Sequence, residues 1–294
     1  MELLFGSGVN LDVRNENQQT PFYLACKNGK LDVSRLLINH GSDINSRNEE
    51  GCIPIHLTSR FGHIAVARLL IDRDADTNSR KDDRWTPLHL ASHHGHLGTA
   101  KLLIDRGTNV ASRSDEQQTP LDLASWSGHL NVVRFLIDSG AAASSRDING
   151  RTLFVDIRNR HHYSLYLASS SGKLDVVGFL IKQGADIHIT DNDGSTPLHV
   201  ASLKGHLDVI RMLVNSGIAV DVRDGTYRTP LALASREGKL KVVRLLIDAE
   251  RARRRGECAR QRELGSITLC LKTRTPRRGT AVARLWSRSE HPAQ

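Results

Sequence analysis

Proline recurs in this chain at a fixed interval. Pro21, Pro54, Pro87 and Pro120 are each 33 residues apart, as are Pro197 and Pro230, and five of these six follow a threonine. The text between them repeats too: TPLHLASHHGHLGTAKLLIDRG starts at Thr86, TPLDLASWSGHLNVVRFLIDSG at Thr119 and TPLHVASLKGHLDVIRMLVNSG at Thr196. Between Pro120 and Pro197 the register slips by 11 residues; removing LFVDIRNRHHY (Leu153 to Tyr163) puts Ser164 in the proline slot and restores every later unit. Self-similarity at this period is the mark of a stack of small supersecondary units. Each unit is too small to bury its own apolar faces, so stability comes from neighbours piling up.

Each unit reads the same way. Threonine at the N-cap and proline at the first helical position start a short helix. Its Leu-x-Leu-Ala face turns inward, and it stops at Gly29, Gly62, Gly95, Gly128, Gly172, Gly205 or Gly238. A second helix follows with V-x-x-L-L or a close variant, apolar at i, i+3 and i+4. It ends at Gly41, Gly107, Gly140, Gly184 or Gly217, each suited to a left-handed C′ position. Asp74 and Glu250 replace that glycine in the second and seventh units. Asp74 predicts a locally weak joint, and LLIDAERARRR predicts a helix running past the usual stop. A polar stretch with β-type alternation, such as DINSRNEEG, leads to the next Thr-Pro.

The T-P-L-H-x-A signature at this spacing resembles the ankyrin repeat. The resemblance implies an all-α repeat solenoid: helix-turn-helix units joined by β-hairpin fingers, inner helices lining a concave groove, longer outer helices behind. It divides the chain into a partial repeat and finger at 1–19, seven repeats over 20–250 with the insertion at 153–163, and an Arg-rich tail at 251–294. The start, Glu2 to Gly8, matches the end of an outer helix without its inner partner, Leu3, Leu4 and Phe5 aligning with Leu36, Leu37 and Ile38. The expectation is a piece of a longer array, monomeric unless this uncapped end associates.

Aromatic residues make up only 4% of the chain, which suits many small Leu/Ile/Val/Ala layers better than one large core. The formal charge of +9 is not spread evenly. Residues 251–294 hold eleven Arg and one Lys against three Glu, and the remainder carries 29 basic and 29 acidic residues. The tail, with Arg251, Arg253, Arg254, Arg255, Arg277 and Arg278, is thus the one place suited to nucleic acid, an anionic surface or nuclear import. No N-terminal leader and no long apolar span is evident, and the four cysteines (Cys26, Cys52, Cys258, Cys270) show no C-x-x-C spacing. These point to a soluble intracellular chain, cytoplasmic or nuclear, without disulfides or a metal site.

In the resembling family, partners contact the finger tips and the exposed face of the inner helices. Carried over by position, units two to four contribute Glu49, Glu50, Cys52, Arg60 and Phe61; then Asp82, Asp83, Trp85, His93 and His94; then Asp115, Glu116, Gln118, Trp126 and Ser127. Two of the chain's three tryptophans fall on these positions. The expected site is therefore an aromatic centre of Phe61, Trp85, His93 and Trp126 inside an acidic rim, suited to a protein partner with a basic segment and repellent to phosphates. An arginine recurs seven residues before the proline slot (Arg14, Arg47, Arg80, Arg113, Arg146 with the insertion removed, Arg223), Thr190 being the exception in the sixth unit, and is expected to pair with acidic neighbours such as Asp147 and Asp224.

Chemistry is not expected. Most of the fourteen histidines belong to the repeat: His56, His89 and His199 to T-P-L-H, and His63, His96, His129 and His206 to Gly-His turns, all structural in the resembling family. His93, His94 and His96 lack a cysteine or carboxylate at ligand spacing. There is no G-x-S-x-G and no H-E-x-x-H, and no cofactor is implied. The reading is a non-catalytic scaffold, with the recognition arm of a larger signalling protein as the alternative.

Overall fold

The computed structural model describes residues 10–141 and 164–255. The half unit at Leu3 to Phe5, the insertion, Arg146, Asp147 and the tail beyond Arg255 lie outside them. Seven helix pairs follow one another. They are α1 (Pro21–Lys27) with α2 (Leu31–Asn39), α3 (Pro54–Phe61) with α4 (Ile64–Ile71), α5 (Pro87–His93) with α6 (Leu97–Asp105), and α7 (Pro120–Ser127) with α8 (Leu130–Asp138). The others are α9 (Ser164–Ser170) with α10 (Leu174–Lys182), α11 (Pro197–Lys204) with α12 (Leu207–Asn215), and α13 (Pro230–Arg236) with α14 (240–255). The first members stack on one another as an inner row, and the second members form an outer row.

The inner helices start as their sequences demand. Thr20, Thr86, Thr119, Thr196 and Thr229 are extended, with proline next, and the Thr20 hydroxyl accepts the Tyr23 N–H at 3.1 Å. Ile53 has no hydroxyl; its own N–H donates instead to His56 Nδ1 at 3.2 Å. Each layer then contributes large buried side chains. Leu88, Leu121, Leu165 and Leu198 of the inner row and Leu70, Leu103, Leu136, Leu180 and Leu213 of the outer row are all at most 2% exposed. They join one apolar cluster from Phe22 to Leu246. At roughly 1.5–3 kcal/mol per fully buried Leu, this repeated layer dominates the stacking energy.

The glycine between paired helices meets two demands. Gly95 has φ +77°, and a Cβ there would stand 2.5 Å from Nδ1 of His129 in the next unit. That close approach lets the His129 Nε2–H donate to the carbonyl of His93, at 3.0 Å. His63, His96 and His206 make the same bond back to Lys27, Arg60 and Ser170. The glycine after the outer helix is needed for conformation alone: Gly107 has φ +80°, and a Cβ there would meet nothing within 4 Å. Asp74 adopts the same left-handed backbone, φ +62°, as expected from its place. In the seventh unit the helix continues through Glu250 to 255.

The fingers depart from expectation. Among the described residues they contain no strand. Each is a tight turn closed by two backbone bonds, as in Lys81 N–H to Trp85 O (3.1 Å) and Arg84 N–H to Lys81 O (2.8 Å). Single bonds tie neighbouring fingers, Asp82 N–H to Glu50 O (3.2 Å), Asp115 N–H to Asp83 O (3.1 Å) and Gly225 N–H to Asp193 O (2.7 Å). The arms are too short to add further rungs, and side chains take up the turn's own amides: Asn48 Oδ1 accepts from Glu50 and Cys52, and Asp224 Oδ1 from Thr226 and Arg228.

The arginine column also behaves differently. Arg14 donates to the carbonyls of Gln18 (3.2 Å) and Arg47 (2.6 Å), and Arg47 to those of Gly51 (2.9 Å) and Arg80 (3.0 Å). Arg113 bonds Gln117 O at 3.2 Å. Arg14 and Arg47 thus staple their fingers to the next through backbone oxygens, and Arg113 closes its own finger, while Asp224 pairs with Arg228, at 2.9 Å. At the Arg14 and Arg47 joints a backbone carbonyl 33 residues downstream is the acceptor in place of an acidic neighbour.

Candidate functional site

Helices α3, α5 and α7 present their last turns side by side on the inner face, and the candidate aromatic residues lie there. His93 ends α5 next to Trp126 near the end of α7. Their rings stack at 5.5 Å between centroids with 10° between planes. On its other side His93 meets Trp85 edge-on, 5.5 Å and 71°. Ser127 Oγ lies 3.2 Å from His93 Nδ1 and orients the ring. Desolvation, reinforced by the nearby Arg60 charge, holds the His93 imidazole below its ordinary pKa, so a neutral ring stacks at pH 7. His94 continues the file edge-on to His93 at 4.7 Å, and His96 stacks on His94 at 6.3 Å.

Trp126 is 48% exposed and Phe61 42%, whereas Trp85 and His93 are half-buried and His94 is exposed. None of these rings belongs to the buried core. Phe61 stands one unit away, stacked with His63 at 6.1 Å and covered by the Arg60 guanidinium at 5.5 Å. The structure thus brings Trp85, His93 and Trp126 into one strip, with Arg60 and Phe61 as a separate pair beside it. Cys52 is not on this surface. It is 5% exposed and packs with Tyr23 and Leu57, because Tyr23 takes the place that histidine holds in T-P-L-H and its larger ring spreads under the next finger.

Glu49, Glu50, Asp82, Asp115 and Glu116 are exposed at the finger tips, and Asp83 is half-buried. The rim is partly internally compensated. Lys81 pairs with Asp83 while its ammonium lies 5.8 Å from the Trp85 ring, and Arg84 lies 3.8 Å from Asp115. The repeat pattern does not mark Lys81; its one signal is its place directly after Arg80, where other units carry Asn48 or Ser114. Beyond Trp126 the face opens into a cavity of about 410 Å³ lined by Leu167, Ser170, Asp193, Leu203, Lys204 and Arg236, among others. The inner face therefore runs from an acidic, aromatic end to one carrying more cations.

The structural histidines are tied down at both nitrogens. Carbonyls only accept, so the Nε2–H of His89 donates to Gln118 O (3.0 Å), and that of His56 to Ser79 O (3.1 Å) and Trp85 O (3.2 Å). Nδ1 must then be the acceptor, and Thr86 N–H supplies the proton to His89 at 3.1 Å. Burial pushes both imidazoles down to about 4. In the fourth unit Asp122 replaces the histidine: its Oδ2 accepts from Thr119 N–H and hydroxyl, and its Oδ1 accepts the Ser164 hydroxyl at 2.7 Å. Burial raises its pKa. Among the described residues no group of three His, Cys, Asp or Glu side chains is arranged to hold a metal, and no helix is long and apolar enough to cross a membrane. At the other end Glu250 holds Arg253 (3.1 Å) and Arg254 (2.7 Å), so two cations of the RARRR run are already ion-paired.

A stack of capped helix pairs with a variable face along its inner row defines a repeat scaffold. The sequence pattern of tandem ankyrin repeats matches residues 1–81, 73–147 and 165–254, and the chain belongs to the ankyrin-repeat family. Among solved structures, the crystal structure of the human ASB11 ankyrin repeat domain is similar, with a TM-score of 0.64 and 23% identity over 78% of this chain and 98% of that one. At that identity the likeness speaks for the fold alone. No curated protein sequence matches the chain.

Proposed function

We propose that this ankyrin-repeat chain is a non-catalytic scaffold that grips a protein partner across the inner-helix face of units two to four. Ankyrin repeats are generally protein-interaction modules. The observation that carries the finer reading is the Trp85–His93–Trp126 stack: large rings held in a fixed arrangement, outside the core, where the fold needs no aromatic residue. Rings already ordered by mutual packing lose little entropy on binding, and Trp is enriched among interface hot spots. The carboxylates of Glu49, Glu50, Asp82, Asp83, Asp115 and Glu116 at the adjoining finger tips favour a basic partner segment, with Phe61, Arg60 and His94 at its edge.

The test is titration of purified partners, first captured with the full chain, against the Trp85→Ala/Trp126→Ala variant. A loss of at least ~2 kcal/mol, about thirtyfold in Kd, is expected with little change in thermal unfolding. Equal affinity for the parent and the variant would overturn the reading.

A further inference from the structure

Two joints of the outer row carry a contact between a cation and a ring. Lys101 in α6 holds its ammonium over the Phe135 ring of α8, at 5.6 Å, and Arg134 in α8 holds its guanidinium over the Phe179 ring of α10, at 4.6 Å. A cation from one outer helix thus covers an aromatic ring from the next. At the following joint there is no cation, and Gly178 lies against Met212. At the last joint the cation returns as Arg211 in α12, and the facing residue in α14 is Leu245, in the register of Phe135 and Phe179; the first two joints likewise set Leu69 opposite Arg35 and Leu102 opposite Arg68.

Beside Leu245 the outer face is open. Leu207, Val214 and Leu245 form the apolar part of a cavity of about 490 Å³, and Arg211, Lys241 and Arg244 stand on its walls. All three cations are exposed, and among the described residues none of them forms an ion pair. Asp248 is the one carboxylate among the lining residues. An apolar floor beneath a cluster of positive charges, in a cleft within the roughly 300–1,000 Å³ range of ligand-holding pockets, is half of an interaction.

We propose that this outer cleft receives an aromatic side chain from an acidic segment of a partner protein. The ring would lie beneath Arg211 as Phe179 lies beneath Arg134, with flanking carboxylates on Lys241 and Arg244. The chain's own upstream joints supply the template for the cation–ring contact, and the charge of the walls selects the flanks. This surface is on the outer row and is independent of the inner-face reading above.

The experiment is fluorescence anisotropy of a short fluorescein-labelled peptide, one phenylalanine between runs of glutamate, titrated with the full chain. Saturable binding is expected. Arg211→Ala should weaken it about tenfold, and so should alanine in place of the peptide's phenylalanine. Leu245→Phe should abolish it, because the protein then fills the seat itself. Absence of saturable binding, equal binding of the alanine peptide, or unchanged affinity in Arg211→Ala would overturn the proposal. Should Leu245→Phe fail to fold, the exposed Arg211 decides the question alone.

Discussion

The joint between the third and fourth repeats and the joint between the fourth and fifth are built on one plan with different chemistry. In the first, His89 donates to Gln118 O, and His129 packs on Gly95 to reach His93 O. In the second, the buried Asp122 carboxylate takes the Ser164 hydroxyl, and the aliphatic stem of Lys173 covers Gly128. Inner helices stack on inner helices at both. The lesson is that the apolar layers set the stack, while the polar pairs set how each joint responds to acid and to crowding.

Acid should separate them most. His56 and His89 are held at about 4 against an ordinary 6.5, so the native state binds fewer protons than the unfolded chain between those values. Their stability is full above about 6.5 and is lost as pH falls toward 4, on the order of 3 kcal/mol for each buried imidazole. Asp122 has the opposite sign. Its raised pKa makes its contribution greatest in acid, and that contribution is lost as pH rises through the folded value. Hydrogen exchange at neutral pH and near pH ~4.5 should show protection falling first in α3 to α6. A uniform loss along the array would break the comparison.

Crowding should separate them next. A Cβ at Gly95 would strike the His129 ring, which a hydrogen bond holds in place; one at Gly128 would strike Lys173 Cδ, at 2.6 Å, on a stem that can swing aside. Gly95→Ala should cost about 3 kcal/mol, backbone strain plus overpacking, and Gly128→Ala about 1 kcal/mol, strain alone. Urea unfolding of the two variants checks this, and equal costs would mean that the lysine joint is as rigid as the histidine joint. The smallest effect lies at the second unit's exit, where Asp74 occupies a left-handed backbone. Asp74→Gly should raise stability by up to about 1 kcal/mol, seen as a higher urea midpoint.

Much of this was legible beforehand because it is local and repeated. Threonine, proline and glycine mark each helix boundary by their own backbone preferences, so the period, the pairs and the left-handed Asp74 follow from short windows of sequence. The fingers misled because alternation in DINSRNEEG records which residues are polar and says nothing of whether a neighbouring strand exists to complete a ladder. The arginine column was visible, but its acceptors are backbone carbonyls, of its own finger and for Arg14 and Arg47 also of the next, and a carbonyl leaves no mark in a sequence. Cys52 sits at a position that is exposed in its counterparts Trp85 and Gln118 only in part, and the Tyr23 substitution one unit earlier closed it off. His93 and Trp126, 33 residues apart, could be placed on one face by counting; that their planes lie 10° apart could not.

By itself the sequence determined the number of repeats, their register and the identity of the groups offered on each face, because backbone preference and hydrophobic period act within a single unit. Tertiary structure alone decided which of those groups meet: the neutral histidines locked between repeats, the ring stack on the inner face, and the cleft beneath Arg211. Those contacts depend on how far each unit is offset from the next, and that offset is the summed result of packing every layer against its neighbours.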